Sequence, residues 1–239
     1  VLKGIDEAIF VPIIDSVRSR SVLDHIEWNG MPQPERAVWL ERFEKQRAAT
    51  DHVLALFREQ RLINRVEHIF DGLAIMPDNR FLLDLKKNAI EYFLLRTKDK
   101  NAEREVDTLL QKRPDLGMGW LFKSWFLVVA NNLDAAENAI GKALYHEPEN
   151  PLAHYTMGNI HLLRENFDMA IQEYLRALER DPNMFEANAN IARVYETRGN
   201  LEMAVKYYEK ALEQNPELPQ IKQRLTELRA RMQGKKSAN

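Results

Sequence analysis

The feature that most constrains this sequence is a proline that returns every 34 residues, at Pro114, Pro148, Pro182 and Pro216. A proline ends a helix because the residue before it is pushed away from α-helical geometry. A fixed period of about 20–50 residues is typical of solenoids built from repeated supersecondary units. The apolar residues between the prolines recur at spacings of three and four, which favours helices. The spacing therefore predicts an array of helical pairs.

The segments 117–150, 151–184 and 185–218 agree in several further columns when they are superposed. The shared columns are Asn132, Asn166 and Asn200; Ala136, Ala170 and Ala204; Ala143, Ala177 and Ala211, each followed by leucine; and the small residues Ser124, Gly158 and Ala192. The asparagines precede the second helix of each pair, where a side-chain oxygen can cap free N–H groups. Gly199 suits the left-handed turn that closes a first helix, Asn131 suits it too, and Glu165 suits it less well.

The composition is consistent with an all-α chain and excludes several classes of functional site. The sequence has only 9 glycines, no cysteine and a net charge of -2. Without cysteine, disulfide frameworks, thiolate metal sites and cysteine nucleophiles are excluded. The balanced charge argues against a nucleic-acid partner and against a membrane-surface partner, which usually require a basic excess.

The repeat columns resemble those of the tetratricopeptide repeat, a 34-residue helix–turn–helix unit. The resemblance is strongest in PLAHYTMGNIHLLRENFDMAIQEYLRALERDPNM and FEANANIARVYETRGNLEMAVKYYEKALEQNPEL, residues 151–184 and 185–218. It implies an all-α fold, an α-solenoid (superhelix) with a C-terminal capping helix. In this family the first helix of each repeat lines the concave face, and the second helix forms the outer face.

The predicted domain organisation follows the repeats. It comprises an N-terminal extension without an assignable fold (1–33), a helical region that is a candidate degenerate repeat (34–79), a degenerate repeat (80–116), three repeats (117–150, 151–184, 185–218), a capping helix (219–233) and a disordered tail (234–239). Residues 34–61 read as one long helix beginning at Pro34.

One predicted helix is apolar on nearly every side: GWLFKSWFLVVA, residues 119–130. It is too short to span a membrane, which takes about 20 apolar residues. A helix of this kind is usually buried in protein. Three coverings remain open: a partner peptide, the apolar AIFVPII segment within residues 1–33, or unusually tight packing of the N-terminal repeats.

The resemblance implies that the groove carries the function. In the third repeat its lining is expected to be polar, formed by Glu186, Ala189, Asn190, Arg193, Glu196 and Thr197. The expected partner-binding residues are the aromatic anchors Phe122, Trp125 and Tyr155, the specificity residues Asn159, Asn190 and Arg193, and Arg224 on the capping helix. Anchors of this kind supply most of the affinity in peptide recognition.

Some family members clamp the C-terminal carboxylate of a partner with lysines, asparagines and an arginine. Asn159, Asn190 and Arg224 fall on clamp positions in this sequence. Tyr155 and Gln220 stand where the lysines of the clamp would be, so the sequence departs from that pattern. A solvated face is the plainer interpretation of these positions.

No catalytic constellation is visible, so the chain is predicted to be neither an enzyme nor a cofactor or metal protein. It has no phosphate-binding glycine loop, no nucleophile elbow and no H-E-x-x-H motif. His154 and His161 lie seven residues apart, about 10 Å along a helix, and cannot share a metal. Both are expected to be satisfied core histidines.

The sequence therefore predicts a protein–protein interaction scaffold that binds a protein or peptide partner, with no nucleic acid and no membrane insertion of this segment. Two alternatives remain: a non-catalytic tail of a larger enzyme or membrane-anchored protein, and a homo-oligomer stacked through Leu225, Leu228 and Met232 of the last helix. The chain shows no signal peptide, and neither its compartment nor its partner can be read from it.

Overall fold

The computed structural model of the protein describes residues 62–77 and 79–237, together with eight positions between 37 and 52. In this part of the chain all regular structure is helical, which confirms the predicted all-α fold. The helices are α1 (Leu62–Ile75), α2 (Arg80–Leu95), α3 (Lys100–Lys112), α4 (Gly117–Val129), α5 (Leu133–His146), α6 (Pro151–Leu163), α7 (Phe167–Arg180), α8 (Phe185–Thr197), α9 (Leu201–Gln214) and α10 (Pro219–Ser237). None of these described helices is long and apolar enough to cross a membrane.

The chain divides into two compact units, residues 1–96 and 97–239. In the first unit α1 packs on α2, and Val66 of α1 and Leu82 and Phe93 of α2 are buried. The described positions between 37 and 52 are helical, as predicted for that stretch. The predicted extension, residues 1–33, lies outside the described residues.

The second unit is built from helices that pack mainly on their neighbours in the chain. The pairs α4–α5, α6–α7 and α8–α9 make the closest associations. The small-residue column explains why these pairs can be so close. A Cβ on Gly158 of α6 would lie only 2.6 Å from Cε1 of Tyr174 on α7, so the Tyr174 ring occupies the space of the missing side chain.

Left-handed residues close the first helix of each repeat, as the columns predicted. The φ angles are 57° at Asn131, 59° at Glu165 and 75° at Gly199. Glutamate adopts this conformation at a cost of about 1–2 kcal/mol. The repeat geometry therefore overrides the local preference of Glu165, which the sequence marked as the poorest fit.

The asparagine caps are formed at two of the three expected places. Asn132 Oδ1 accepts from the Ala135 N–H at 3.3 Å, and Asn200 Oδ1 accepts from the Met203 N–H at 3.1 Å. Asn166 makes no side-chain hydrogen bond to the end of its helix. The prediction of a cap is therefore wrong at Asn166, although this residue occupies the same column.

We expect Asn200→Ala to lower the free energy of unfolding by about 1 kcal/mol, because it leaves a helix N–H group without its acceptor. Asn166→Ala is the matched control and should cost clearly less, since no cap bond is lost. Urea denaturation followed by circular dichroism measures both. Equal losses in the two variants would contradict the cap assignment.

Three helices, α3, α5 and α6, pack against the apolar helix α4. Leu121, Phe122 and Phe126 on this helix are buried. Lys123, which interrupts the apolar pattern, forms ion pairs with Glu103 and Asp107 of α3 at 2.9 and 2.8 Å. Packing by neighbouring helices thus accounts for part of the apolar surface, whereas Val129 is 45% exposed.

The last helix does not offer an apolar strip for stacking. Leu225 and Leu228 are buried in a cluster with α8 and α9, and Met232 packs against that cluster. The prediction that these residues form a free face is wrong, because α10 turns the same residues inward. The helix also runs to Ser237, four residues beyond its predicted end at 233, so residues 234–237 are not the predicted disordered tail. Gly234 does not stop it, since a glycine costs a helix only about 1 kcal/mol.

The two core histidines differ. His154 is buried, and its ring nitrogens face Glu173 Oε2 at 2.8 Å and the Pro148 carbonyl oxygen at 3.0 Å. His161 is also buried, but its Nδ1 has no hydrogen-bond partner among the described residues. The prediction of a satisfied core histidine is therefore confirmed for His154 and wrong for this nitrogen of His161.

Candidate functional site

A groove of about 980 Å³ opens on the inner side of α8 in the second unit. Its lining comes from four helices and the α9–α10 turn: Tyr155, Phe185, Glu186, Ala189, Asn190, Arg193, Glu196, Thr197, Tyr208, Leu218, Pro219, Gln220, Ile221, Arg224 and Arg231. The six residues of α8 expected from the repeat columns are all among them. The groove is therefore polar at its centre, with apolar residues at the start of α8 and of α10.

Asn190 organises the centre of the groove. It is only 8% exposed, and its Nδ2 donates to Tyr155 Oη at 3.1 Å and to Asn159 Oδ1 at 2.9 Å. Asn159 Oδ1 also accepts from the Tyr174 hydroxyl at 2.8 Å. Buried polar side chains that satisfy one another in this way are rigid. The network holds Asn190 in one orientation, with its Oδ1 available on the groove side.

Arg193 uses that oxygen. Its Nη1 donates to Asn190 Oδ1 at 3.1 Å, and the residue is otherwise exposed in the groove. No carboxylate of the described residues lies within ion-pairing distance of its guanidinium. Because a guanidinium presents five donors, most of its donors remain open to a ligand. Arg193 is thus a positioned cation that forms no direct ion pair with the described carboxylates of the groove, Glu186 and Glu196.

Arg224, unlike Arg193, is paired with carboxylates. Its Nε donates to Glu196 Oε2 at 3.0 Å, a second nitrogen donates to Glu196 Oε1, and Nη1 donates to Glu227 Oε2 at 2.7 Å. These hydrogen bonds to Glu196 and Glu227 raise the pKa of Arg224 above its ordinary value. The Arg224 charge is therefore committed to holding α10 on α8.

A carboxylate clamp of the kind some tetratricopeptide repeats carry is not assembled in this groove. Asn159 Oδ1 already accepts two hydrogen bonds, and Asn159 lies in a neighbouring hollow of about 500 Å³ rather than in the groove lining. Arg224 is bound to Glu196, and Tyr155 and Gln220 bring no positive charge. Of the three arginines in the groove lining, Arg224 and Arg231 pair with Glu196, whereas Arg193 forms no ion pair with a described residue.

The two residues of α4 expected to anchor a partner are not open in this structure. Phe122 is fully buried and Trp125 is 7% exposed. The two rings pack together with centroids 5.4 Å apart, and Trp125 Nε1 donates to Thr156 Oγ1 at 3.0 Å. Both side chains are thus buried in this structure, and their expected role as anchors for a partner stays a prediction.

Three tyrosines around the groove have a pKa above the ordinary value of a tyrosine. Burial raises the pKa of Tyr155 and of Tyr174 above the ordinary value. Burial, together with the nearby Glu196 carboxylate, raises the pKa of Tyr208 to about 12. The hydroxyl of Tyr208 donates to Glu196 Oε2 at 3.3 Å. This hydrogen bond in the groove wall requires Tyr208 to be protonated.

We expect Tyr208 to make the free energy of unfolding fall at alkaline pH. An unfolded tyrosine loses its proton near the reference pKa of 10.0, whereas Tyr208 keeps its proton to about 12 in the folded state. Between these values the unfolded state binds fewer protons, so the free energy of unfolding falls as pH rises; the contribution is complete below pH 10. The urea concentration at the midpoint of unfolding should decrease between about pH 9 and about pH 11.5, and the decrease should be larger in wild type than in Tyr208→Phe. Identical decreases would contradict this assignment.

A second cluster, in the first unit, was not foreseen from the sequence. His52 and His68 face each other with their Nδ1 atoms 3.5 Å apart, and Asp71 joins them. The spacing of His68 and Asp71 places them on one face of α1. His52 precedes His68 by 16 residues and is brought to it only by packing, so no sequence pattern points to the trio.

The sequence profile of the tetratricopeptide repeat family matches this chain twice, over residues 123–185 and 155–219. These residues include most of the groove and the whole of α5 to α9. No curated protein matches the sequence.

Two solved structures share the arrangement of helices. A thermophilic tetratricopeptide repeat protein from Thermus thermophilus superposes with a TM-score of 0.51 at 20% identity, covering 77% of this chain and 98% of that chain. The MamA RS-1 ArsTM double mutant superposes with a TM-score of 0.53 at 19% identity, covering 65% of this chain and 87% of that one. Both similarities extend to the arrangement of the helices alone.

Proposed function

We propose that this chain is a non-catalytic scaffold that binds a peptide segment of a partner protein in the groove beside α8, since its residues 123–219 match the tetratricopeptide repeat family. Arrays of this family are typically interaction scaffolds, and this groove is a wide opening in the repeat region that the structure describes. Solenoid grooves of this kind recognise extended or helical segments.

The observation that carries the proposal is Arg193, a cation that is fixed by Asn190 and forms no direct ion pair with a described residue. An acidic side chain of a peptide would form charge-assisted hydrogen bonds with its free guanidinium N–H groups. Tyr155 lies against the same asparagine and would supply aromatic surface beside that contact. Asn190 and Asn159 act through these two residues by holding them in place.

The other residues of the groove lining favour binding of a peptide with few charged residues. Apolar side chains of the groove, Phe185, Leu218 and Ile221, border the polar centre and would bury apolar side chains of the partner. Glu186 is exposed in the groove and would repel a run of acidic residues. We therefore propose a partner segment with one acidic residue flanked by apolar ones.

The burial of Leu225 and Leu228 does not support self-assembly through the last helix. A scaffold that binds a peptide fits equally well as an independent protein and as the tail of a larger one. The proposal concerns the groove and is the same in both cases.

A displayed library of random twelve-residue peptides, selected on the full chain, tests the proposal. We expect the selected pool to be enriched in peptides with a single aspartate or glutamate next to apolar residues. The same selection on an Arg193→Ala protein should not return these peptides. Pools without acidic enrichment, or identical pools from both baits, would count against the assignment.

A further inference from the structure

We propose that His52, His68 and Asp71 form a binding site for a divalent transition metal, with Zn²⁺ as the best fit. The site lies in the first unit, between α1 and the helical segment that carries His52. It is independent of the peptide groove, which belongs to the second unit.

The first argument is the distance between the two rings. The Nδ1 atoms of His52 and His68 are 3.5 Å apart, and the ring planes are inclined by 43°. A hydrogen bond involving nitrogen is usually about 2.7–3.2 Å long, so a shared proton explains the contact poorly. Zn–N bonds of about 2.05 Å at a tetrahedral angle separate two ligand nitrogens by about 3.3 Å. The observed spacing is close to that of two ligands on one metal ion.

The second argument is the chemistry of the donor set. Two imidazoles and one carboxylate offer three ligand atoms, all within 4.8 Å of one another. Three protein ligands of these types with one open position are typical of accessible zinc sites. Imidazole suits Zn²⁺, Cu²⁺ and Ni²⁺, whereas Ca²⁺ and Mg²⁺ prefer a set of oxygens. The largest separation is at most 4.8 Å, so it has to shorten by no more than about 1.5 Å to reach the ligand spacing around Zn²⁺.

The third argument is that the backbone brings these residues together closely. Gly72 follows Asp71 on α1, and a Cβ on Gly72 would lie 3.4 Å from the Cβ of His52 and 2.6 Å from Leu82 Cδ1. The missing side chain lets the His52 segment and α2 approach α1 at this point. All three metal-binding candidates are half-buried, so their side chains are partly held by packing before any ion binds.

The test uses the full chain, with any affinity tag removed and with prior chelator treatment. Titration calorimetry with ZnCl₂ should show one ion per chain, and Co²⁺ should give the visible absorption of a tetrahedral nitrogen- and oxygen-bound ion. His52→Gln and His68→Gln should each weaken Zn²⁺ binding at least tenfold, the lower end of losses seen even for outer-shell partners of metal ligands. His146→Gln removes an exposed histidine of the second unit and should leave affinity unchanged.

A readout in the unaltered protein keeps the inference testable if the variants fold poorly. Among the six histidine rings, one equivalent of Zn²⁺ should shift the nitrogen resonances of only His52 and His68. Absence of stoichiometric binding, unchanged affinity in both glutamine variants, or shifts at other histidines would overturn the proposal.

Discussion

Replacing Tyr174 with alanine is expected to lower the free energy of unfolding by about 3–5 kcal/mol, the range for removing a large buried aromatic side chain. Tyr174 is fully buried between two repeats, in a cluster with Ala187, Ile191 and Val194 of the next repeat. Its ring also occupies the space left by Gly158. The substitution would open a cavity at the joint of two repeats and leave Asn159 without one of its donors. Urea denaturation gives the free energy directly.

Two further variants separate the contributions. Tyr174→Phe keeps the ring and loses only the hydroxyl, so it should cost about 1 kcal/mol. Leu175→Ala removes a neighbouring apolar side chain that is 39% exposed, and should cost much less than Tyr174→Ala. A loss in Tyr174→Ala no greater than in Leu175→Ala would show that the joint between these repeats does not depend on this ring.

Reversing the charge of Arg193 is expected to weaken the binding of acidic peptides selected on the wild type by about a hundredfold. A hydrogen bond to a charged group contributes about 1.5–3 kcal/mol, and each 1.4 kcal/mol is a factor of ten in affinity. Arg193→Glu also adds repulsion, since Glu186 already lies in the groove. Fluorescence anisotropy with labelled peptides measures the change.

Lys206→Glu on α9 makes the same change in net charge outside the groove lining, so it controls for long-range electrostatics. We expect it to weaken binding only slightly at physiological salt, where charges more than about 8 Å apart are screened. If both variants lost affinity equally, the peptide would be responding to net charge and not to the Arg193 contact.

The helices and the inward-facing positions of α8 could be predicted because a 34-residue period fixes which side of each helix faces its partner. The period does not fix how closely one repeat packs on the next. Phe122 and Trp125 were therefore expected to be open in a groove, whereas both side chains are buried and Trp125 is hydrogen-bonded to Thr156 of α6. The state of Arg193 and of Arg224 could not be predicted either, because it depends on which carboxylate of a neighbouring helix comes within reach.

The same limit applies to the caps and to the histidine cluster. Asn166 and Asn200 share a column, but only Asn200 places its side-chain oxygen within hydrogen-bonding distance of a helix N–H group. His52 and His68 have no common periodicity, and their contact arises only when α1 packs against an earlier segment. Repetition in a sequence predicts architecture well, whereas pairwise chemistry between helices has to be read from the structure.

One wall of the groove is α10, which ends the described array and packs on the repeats from one side only. An element of this kind detaches at a lower free energy than one enclosed in the interior. Detachment would withdraw Arg224 from Glu196, a carboxylate one helical turn from Arg193. The charge available to a ligand is thus thermodynamically linked to the docking of the terminal helix. A partner that contacts both walls would stabilise the docked helix, and the amide protons of α10 would exchange more slowly with solvent as its affinity increased.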